Sequence, residues 1–585
     1  MGKLLVYLKD YKKESVLGPL FKLLEASFEL IVPLVMAAII DKGVVNADQP
    51  YIMKMCLVLI LLAVIGLTCS ITAQYFAAKA AVGFSTGLRH ALFEHIQTLS
   101  FSEMDTVGTS TLITRMTSDI NQTQNGVNLV LRLFLRSPFI VFGAMIMAFT
   151  IDVKAAIIFV VTIPLLSIVV FGIMLVSIPL YKKVQSALDK VLGITRENLT
   201  GSRVIRAFNK EADEIENFNE SNDALTKIQL YVGKISALMN PLTYVIINGA
   251  IVVLVWTGAI RVNDGAITQG EVVALVSYMS QILVELIKLA NLIININKSI
   301  ACGNRIQAIF ELQPSITDSA VAPAAVEERT SSADVPEVVF SHVGLTYAGA
   351  GEESLTDIDF TVKKGETIGI IGGTGSGKSS VVNLIPRFYD ATKGSVQIEG
   401  KDVREYSLEE LREKIGMVLQ KAVLFKGTIR ENMLWGNENA TDEDIMQALE
   451  IAQAKEFVDK KEGGLDFEIE QGGKNLSGGQ RQRMTIARAV VKKPDILILD
   501  DSASALDFAT DAKLRMAIRD MENKAAVFIV SQRAASIMYA DKIIVLDDGQ
   551  IVGMGTHEEL LQQCEVYQEI YYSQFKKNED AKEGR

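Results

Sequence analysis

A glycine-rich stretch in the middle of the chain has residue types suited to holding phosphate. It fits the pattern G-x-x-x-x-G-K-[ST], with Gly372, Gly373, Thr374, Gly375, Ser376, Gly377, Lys378 and Ser379. The apolar residues before it predict a buried strand, and Ser380 opens a predicted helix. Backbone N–H groups of such a loop turn toward phosphate oxygens. Lys378 is expected to reach the β- and γ-phosphates, and Ser379 to hold Mg²⁺.

Other polar residues stand where predicted strands end. Gln420 ends the run 415–419, where a glutamine can bind Mg²⁺ or orient water, although an ordinary loop glutamine fits equally well. Asp500 ends the buried strand 496–499, the Walker B pattern for Mg²⁺, and Asp501 follows it. Gln532 comes shortly after the buried strand 527–530. Tyr347, further upstream, has a ring that can stack on adenine, but tyrosines are also common in strands.

A second glycine-containing turn leads into another predicted helix. It comprises Leu476, Ser477, Gly478, Gly479 and Gln480, and the helix covers 481–489. This predicts a second anion-binding helix terminus. Because one ATP has one triphosphate, which the first loop already holds, the second turn is predicted to close on a nucleotide held by another domain.

The first half of the chain has six apolar stretches near the roughly 20 residues that cross a bilayer. They cover 17–40, 53–77, 129–151, 155–181, 242–260 and 272–296. The long connections 78–127 and 182–240 look helical and carry many Lys and Arg residues, so they and both termini are predicted to be cytoplasmic. The amphipathic residues 1–15 suit a helix on the membrane surface.

Composition agrees with a membrane protein. The chain has 585 residues, of which 49% are hydrophobic, and a net charge of −11, so nucleic acid is not an expected partner. The pI is about 5.2 and the mean hydropathy +0.26. The four cysteines have no metal or disulfide spacing, and no cleavable signal is recognised.

The predicted organisation has four parts. Residues 1–312 form an all-α transmembrane domain with long cytoplasmic helical extensions, and 313–336 form an Ala-, Ser- and Pro-rich linker. Residues 337–575 alternate short strands and helices, which predicts an α/β domain, and 576–585 form a polar tail.

Ionisable residues within the predicted spans have two interpretations. Such residues are costly in lipid and face a bundle interior or a cavity. Glu285 and Lys288 are spaced i, i+3 and can neutralise each other, but a role in a substrate cavity stays open. The set comprises Glu25, Glu29, Arg132, Arg136, Glu285 and Lys288.

The P-loop, the glutamine, LSGGQ and Walker B stand in this order behind six spans, and the whole chain resembles an ABC exporter half-transporter. The resemblance implies a P-loop ABC ATPase domain that binds ATP and Mg²⁺, with Ser379, Gln420 and Asp500 on the metal and Tyr347 on adenine. It also implies a dimer in which each ATP lies between the P-loop and Ser380 of one chain and the Ser477–Gln480 turn of the other. Residues 102–114 and 204–210 look like the elements that dock on the nucleotide domains.

Two positions depart from the family pattern. Asp501 stands where the family has a glutamate general base, and Gln532 where it has the switch histidine. The side chain of Asp501 is one methylene shorter, and a base must reach the proton that it takes. Gln532 donates hydrogen bonds but cannot take up a proton as histidine does. The resemblance is therefore to the degenerate-site subunit of bacterial heterodimeric multidrug exporters, with a homodimer of two slow sites as the alternative.

The expected function is ATP-driven export of amphipathic compounds through the bacterial cytoplasmic membrane. A lipid or peptide exporter of the same architecture is the second hypothesis. The six spans argue against a non-transport ATPase, and the fusion of both halves in one chain argues against an importer. Apolar cavity candidates, equally suited to helix packing, are Phe139, Phe142, Tyr244, Trp256, Tyr278 and Met279.

Overall fold

The computed structural model describes residues 1–318 and 335–575, and its contacts divide the chain into two compact units. The first comprises Met1–Gln97 and Thr109–Leu312, and the second comprises Thr98–Gly108 and the described residues from Gln313 onward. Most of the predicted linker and all of the predicted tail lie outside the described residues, so those two segments stay predictions.

The first unit is helical. Its described residues include six helices long and apolar enough to cross a membrane, as the sequence predicts. Each of the six predicted stretches lies within one of them. The α-helices up to residue 312, including the short α3 of the second unit, are α1 (Lys12–Ala38), α2 (Gln49–Thr98), α3 (Phe101–Val107), α4 (Thr109–Thr114), α5 (Ile120–Leu129), α6 (Arg136–Ile151), α7 (Val153–Thr200), α8 (Ser202–Ala207), α9 (Glu211–Ala237), α10 (Met239–Asn263) and α11 (Gln269–Phe310).

Helix α2 has 50 residues and α7 has 48, far more than a bilayer requires, so both continue beyond it. This confirms that the long connections are largely helical. Other segments wind differently: Gly2–Tyr11 is a 3₁₀ helix, and Ile39–Val44, Arg115–Asp119 and Val130–Phe134 are π-helical.

A buried ion-pair network joins α1, α6 and α11. Arg136, only 8% exposed, donates to Glu285 Oε1 and to Glu29 Oε2, each at 2.7 Å. Ser137 Oγ donates to Glu285 Oε2 at 2.8 Å, and Lys288 Nζ donates to Glu285 Oε1 at 2.9 Å. The expected pair of Glu285 and Lys288 therefore exists, and Arg136 is an additional partner that spacing along one helix does not reveal.

We expect the Glu285→Gln substitution to destabilise the membrane unit by about 2 kcal/mol, because the neutral amide weakens charge-assisted bonds in a buried site. The measurement is the midpoint of heat-induced unfolding in detergent. Val284→Ala on the half-exposed side of α11 is the matched control. Equal midpoints for Glu285→Gln and the wild type would contradict a stabilising role for the network.

The second unit contains three sheets. A four-stranded antiparallel sheet has the order β2-β1-β4-β5, a six-stranded sheet has the order β12-β11-β3-β10-β9-β6, and β7 pairs with β8. The strands are β1 (Val338–Leu345), β2 (Leu355–Val362), β3 (Thr367–Gly372), β4 (Lys393–Ile398), β5 (Lys401–Asp402), β6 (Ile415–Val418), β7 (Gly427–Thr428), β8 (Glu468–Ile469), β9 (Ile496–Asp500), β10 (Ala526–Val530), β11 (Lys542–Asp547) and β12 (Gln550–Gly555).

The α-helices of this α/β unit are α12 (Lys378–Leu384), α13 (Leu408–Glu413), α14 (Ile429–Leu434), α15 (Asp442–Ile451), α16 (Lys455–Asp459), α17 (Gly478–Val490), α18 (Phe508–Arg519), α19 (Ala534–Ile537), α20 (His557–Gln563) and α21 (Glu565–Gln574). In the six-stranded sheet, β11, β3, β10, β9 and β6 run parallel. Ligands of such sheets bind beyond the carboxyl ends of the strands. The P-loop, Gln420 and Gln532 follow carboxyl ends of strands in this set, and Asp500 is itself the last residue of β9.

The short helix α3 packs within the second unit. The ring of Phe101 stacks on that of Phe388 with centroids 4.4 Å apart, and the Tyr389 hydroxyl donates to Asp105 Oδ2. Of the predicted docking segment 102–114, residues up to Gly108 therefore belong to the second unit, whereas 109–114 belong to the first unit.

Candidate active site

The P-loop runs from the end of β3 to the start of α12. Gly375 and Gly377 adopt φ values of +88° and +92°, a left-handed conformation that side chains rarely tolerate. A Cβ on Gly377 would also lie 2.6 Å from Leu355 Cδ2. These glycines are therefore required by the backbone geometry itself.

Lys378 is held inside the loop. Its Nζ donates to the carbonyl oxygens of Gly372 at 2.9 Å and Gly373 at 2.5 Å. Burial lowers the pKa of Lys378, and the charges of Asp501 and Asp500 partly oppose this effect. The ammonium group is thus tethered close to the carboxylates that are predicted to act on the metal and on water.

The predicted metal ligands are close together. Ser379 Oγ donates to Asp500 Oδ1 at 3.0 Å, and Asp500 is 4% exposed. Burial raises the pKa of Asp500 and the charge of Asp501 raises it further, while the hydrogen bond from Ser379 and the charge of Lys378 lower it in part. A hydroxyl and a carboxylate are hard oxygen donors of the kind that Mg²⁺ prefers. The residues therefore fit the ion, and Gln420 lines the same cavity.

Asp501 occupies a strained position directly after β9. Its φ is +45°, and its N–H donates to the carbonyl of Val530 at 3.0 Å. Burial raises the pKa of its carboxyl, while a hydrogen bond from Gln420 and the charges of Lys378 and Arg533 lower it. The backbone is thus fixed next to β10, and a short side chain has little freedom to extend the reach of its carboxylate.

One cavity of about 400 Å³ collects most of the predicted site residues. Asp501 and Gln532 both line it, which places the two departures from the family pattern beside one P-loop. Its lining includes Tyr347, Thr374, Gly375, Gly377, Lys378, Ser379, Ser380, Gln420, Asp500, Asp501 and Gln532. Gly372, Gly373 and Ser376 are part of the loop but not of the lining.

The sequence did not indicate one side of this cavity, which is formed by Glu353, Ser354, Asp548 and Gly549. The Asp-Gly pair between two apolar runs does signal a hairpin. The position of that hairpin follows only from the parallel pairing of β11 with β3 and from the bond of Thr356 N–H to the Gly549 carbonyl at 2.9 Å. Long-range pairing of this kind leaves no local pattern.

The LSGGQ turn caps α17 and is not among the described residues that line the cavity. Ser477 Oγ accepts from Gln480 N–H at 3.3 Å, and Gln480 Oε1 accepts from Ser477 N–H at 2.9 Å. A Cβ on Gly478 would meet nothing within 4 Å, whereas one on Gly479 would lie 3.0 Å from the Ala505 carbonyl oxygen. The P-loop and the LSGGQ turn of one chain are thus separate sites.

His557, the histidine after Walker B, does not replace the missing switch residue. Its Nδ1 lies 2.7 Å from the Tyr567 hydroxyl, and burial lowers its pKa. It opens α20, after the edge strand β12, whereas Gln532 lines the cavity. Of these two residues, Gln532 is the one that lines the cavity, and its role as the switch residue stays a prediction.

Comparisons with known proteins identify the family. Residues 15–286 match the ABC transporter transmembrane region, and 355–504 match the ABC transporter ATPase family. YfiB of Bacillus subtilis, an uncharacterised ABC transporter ATP-binding protein, is 35% identical over 98% of this chain and 99% of its own. The putative multidrug export ATP-binding/permease protein YgaD of the same organism is 32% identical over 98% of both chains.

The ATP-dependent lipid A-core flippase of Desulfotalea psychrophila is 33% identical over 83% of this chain and 84% of its own. The structure of a bacterial Atm1-family ABC exporter with ATP bound is 22% identical, covers 97% of this chain and 99% of that chain, and has a TM-score of 0.77, which shows the shared fold. The chain belongs to the ABC transporter family. It is a multi-pass half-transporter with a cytoplasmic ATPase domain, and ABC exporters of this architecture act as dimers.

Proposed function

We propose that this chain binds ATP at its own P-loop site but hydrolyses it slowly, and that its LSGGQ turn completes a competent site on a different partner chain. The observation that carries the proposal is that Asp501 and Gln532 line one cavity together with Lys378 and Ser379. Both departures from the family pattern lie in the cavity of this chain's P-loop, while its LSGGQ turn keeps the family sequence. The proposed assembly is therefore an asymmetric heterodimer.

At this chain's own site, Lys378 and the P-loop backbone bind the triphosphate. Ser379, Gln420 and Asp500 would hold Mg²⁺, which neutralises charge on the β- and γ-phosphates when bound. Asp501 is the group in position to accept a proton from water, but its shorter side chain leaves its carboxylate farther from the attacking oxygen. A displacement of roughly 1 Å costs on the order of 100-fold in rate. Gln532 donates to phosphate without taking part in proton transfer.

The test is ATP turnover by the purified chain, alone and coexpressed with its candidate partner. We expect negligible turnover by the chain alone and strong turnover by a one-to-one complex. Brisk, cooperative turnover by a homodimer would mean that Asp501 and Gln532 suffice, and the asymmetric assignment would fail. A partner sequence with the same aspartate and glutamine would also contradict it.

We further propose amphipathic, multidrug-type compounds as the exported substrates. YgaD bears a multidrug name, and Phe142, Tyr244 and Trp256 are each more than half exposed on the spans of this chain. Tyr278 and Met279, also suggested by the sequence, are fully buried in helix packing, and the Tyr278 hydroxyl donates to the Leu30 carbonyl at 2.6 Å. The flippase relative favours lipid as the second candidate.

Stimulation of ATP turnover separates the two substrate classes. The ATP turnover of the complex in detergent should rise with amphipathic drugs at micromolar concentrations, which lie in the range of a typical KM. The same complex is tested with lipid A-type glycolipids as the matched alternative. Stimulation by the glycolipid alone would replace the multidrug proposal with the lipid one.

Tyr347 provides a test of adenine binding. Its hydroxyl donates to Ser380 Oγ at 2.8 Å, and its ring is perpendicular to that of Tyr389 with centroids 5.0 Å apart. We expect Tyr347→Ala to weaken ATP binding by about tenfold, since stacking on a base is worth roughly 1–3 kcal/mol. Tyr347→Phe, which retains the ring, should bind like the wild type. Equal losses in both variants, measured with a fluorescent ATP analogue, would assign the effect to the hydroxyl instead.

A further inference from the structure

Arg533 comes directly after the switch position, in the segment between β10 and α19, and its side chain binds a different loop. This bridging loop comprises residues 501–507, from the end of β9 to the cap of α18. Arg533 Nη2 donates to the Ser504 carbonyl at 3.1 Å, and Nη1 donates to the Leu506 carbonyl at 3.3 Å. The guanidinium group also lies over the Phe508 ring at 5.5 Å. One side chain thus donates hydrogen bonds to backbone carbonyls in the middle and near the end of the bridging loop.

The bridging loop has two neighbours that matter for ATP chemistry. At its start, Asp501 lines the nucleotide cavity. Near its end, the Ala505 carbonyl oxygen lies so close to Gly479 that a Cβ there would be 3.0 Å away. The loop therefore joins the cavity of this chain's P-loop to the LSGGQ turn by direct packing.

A residue of the last described helix fixes the backbone around Arg533. Gln574 Nε2 donates to the Gln532 carbonyl at 2.7 Å, and Gln574 Oε1 accepts from Ala534 N–H at 2.9 Å. The side-chain amide thus pairs with the main chain on both sides of Arg533. Because both polar atoms of its side-chain amide are hydrogen-bonded, Gln574 restrains the backbone position from which the Arg533 side chain extends.

We propose that Arg533, held by Gln574, is a positioning residue that transmits the state of this chain's nucleotide cavity to its LSGGQ turn. A change at Gln532 moves the backbone of Arg533, and the guanidinium then moves the bridging loop. The bridging loop in turn shifts Gly479. The inference rests on the proposed function in one respect, namely that the LSGGQ turn serves the opposite site.

The experiment uses the assembled native dimer with Arg533→Ala, Arg533→Lys, Gln574→Ala and the double alanine variant. ATP turnover is measured together with photolabelling of this chain by an azido-ATP analogue. We expect Arg533→Ala to lower kcat roughly tenfold, because a small misplacement of groups is enough to slow catalysis. Labelling of this chain should stay within about twofold of wild type, because Arg533 does not line the cavity.

The other variants test the proposed chain of contacts. Arg533→Lys keeps the charge but not the forked geometry, so its kcat should lie between those of wild type and Arg533→Ala. Gln574→Ala should have a smaller effect, and the double variant should be no slower than Arg533→Ala, because residues acting through one loop are not additive. Exposed Arg519→Ala and Gln562→Ala serve as matched controls and should behave as wild type.

Three results would overturn the inference: unchanged kcat in Arg533→Ala, multiplied effects in the double variant, or labelling that falls in parallel with kcat. The last would mean that Arg533 acts on ATP binding at its own site. Failure of the proposed function gives a different result, since Lys378→Ala would then reduce turnover as strongly as disruption of the LSGGQ turn does.

Discussion

Gly478→Asp should reduce ATP turnover of the assembled transporter by about 100-fold, the scale of losing a preorganised anion-stabilising group. In the proposed assembly, the LSGGQ turn of this chain closes on ATP held by the partner's competent P-loop. A carboxylate at the start of α17 would repel that triphosphate and block its approach. Because a Cβ on Gly478 meets nothing within 4 Å, the chain itself should fold normally.

The design separates chemistry from assembly. Gly193→Asp, at an exposed helical glycine of α7 with open space around it, adds the same charge elsewhere and should retain turnover. Lys378→Ala should remove ATP from this chain's own site while leaving part of the turnover, because hydrolysis takes place on the partner. If Lys378→Ala were as damaging as Gly478→Asp, the two sites would be equivalent and the asymmetric assignment would be wrong.

Restoring the family residues should produce the opposite effect. We expect Asp501→Glu combined with Gln532→His to raise hydrolysis at this chain's own site by about 10- to 100-fold. The longer carboxylate reaches the attacking water, and the histidine can exchange a proton as well as bind phosphate. In a Gly478→Asp background the partner's site is silent, so the recovered turnover is that of the restored site.

Backbone strain at residue 501 makes stability the main control for the Asp501→Glu, Gln532→His variant. Asp501 has a φ of +45°, which aspartate tolerates better than glutamate, so Asp501→Glu carries a cost of about 1 kcal/mol in stability. The unfolding midpoint is therefore measured alongside turnover. Asp501→Asn combined with Gln532→His is the matched variant that lacks a base. Equal turnover in the Glu and Asn variants would show that residue 501 is not the base.

Local patterns in the sequence predict much of the site because its parts follow strand ends. Gln420, Asp500 and Gln532 each come after an apolar run, and parallel strands bring such ends to one edge of a sheet. The six spans are predictable for a similar reason, since a bilayer demands long apolar stretches. In both cases a single physical requirement acts on neighbouring residues.

Contacts between distant segments could not be predicted in this way. The partners of Arg136 come from two other helices, and Gln574 reaches the switch loop from the last described helix. Glu353 and Asp548 reach the cavity through sheet pairing. These contacts depend on tertiary packing, which leaves no spacing signal in a single sequence. For the same reason, Tyr278 and Met279 could not be distinguished from residues of an open cavity.

The network around Arg136 also constrains how the protein is made. Arg136 and Glu285 are 149 residues apart in the chain, and at roughly 5–20 residues per second that interval is about 7 to 30 s of synthesis. During this time the third span is in the membrane with only one of the two carboxylate partners of Arg136, Glu29 of the first span, because Glu285 has not yet been made. Insertion and final helix assembly are therefore separate events, and a nascent chain arrested before its sixth span presents membrane quality control with a network that lacks Glu285 and Lys288.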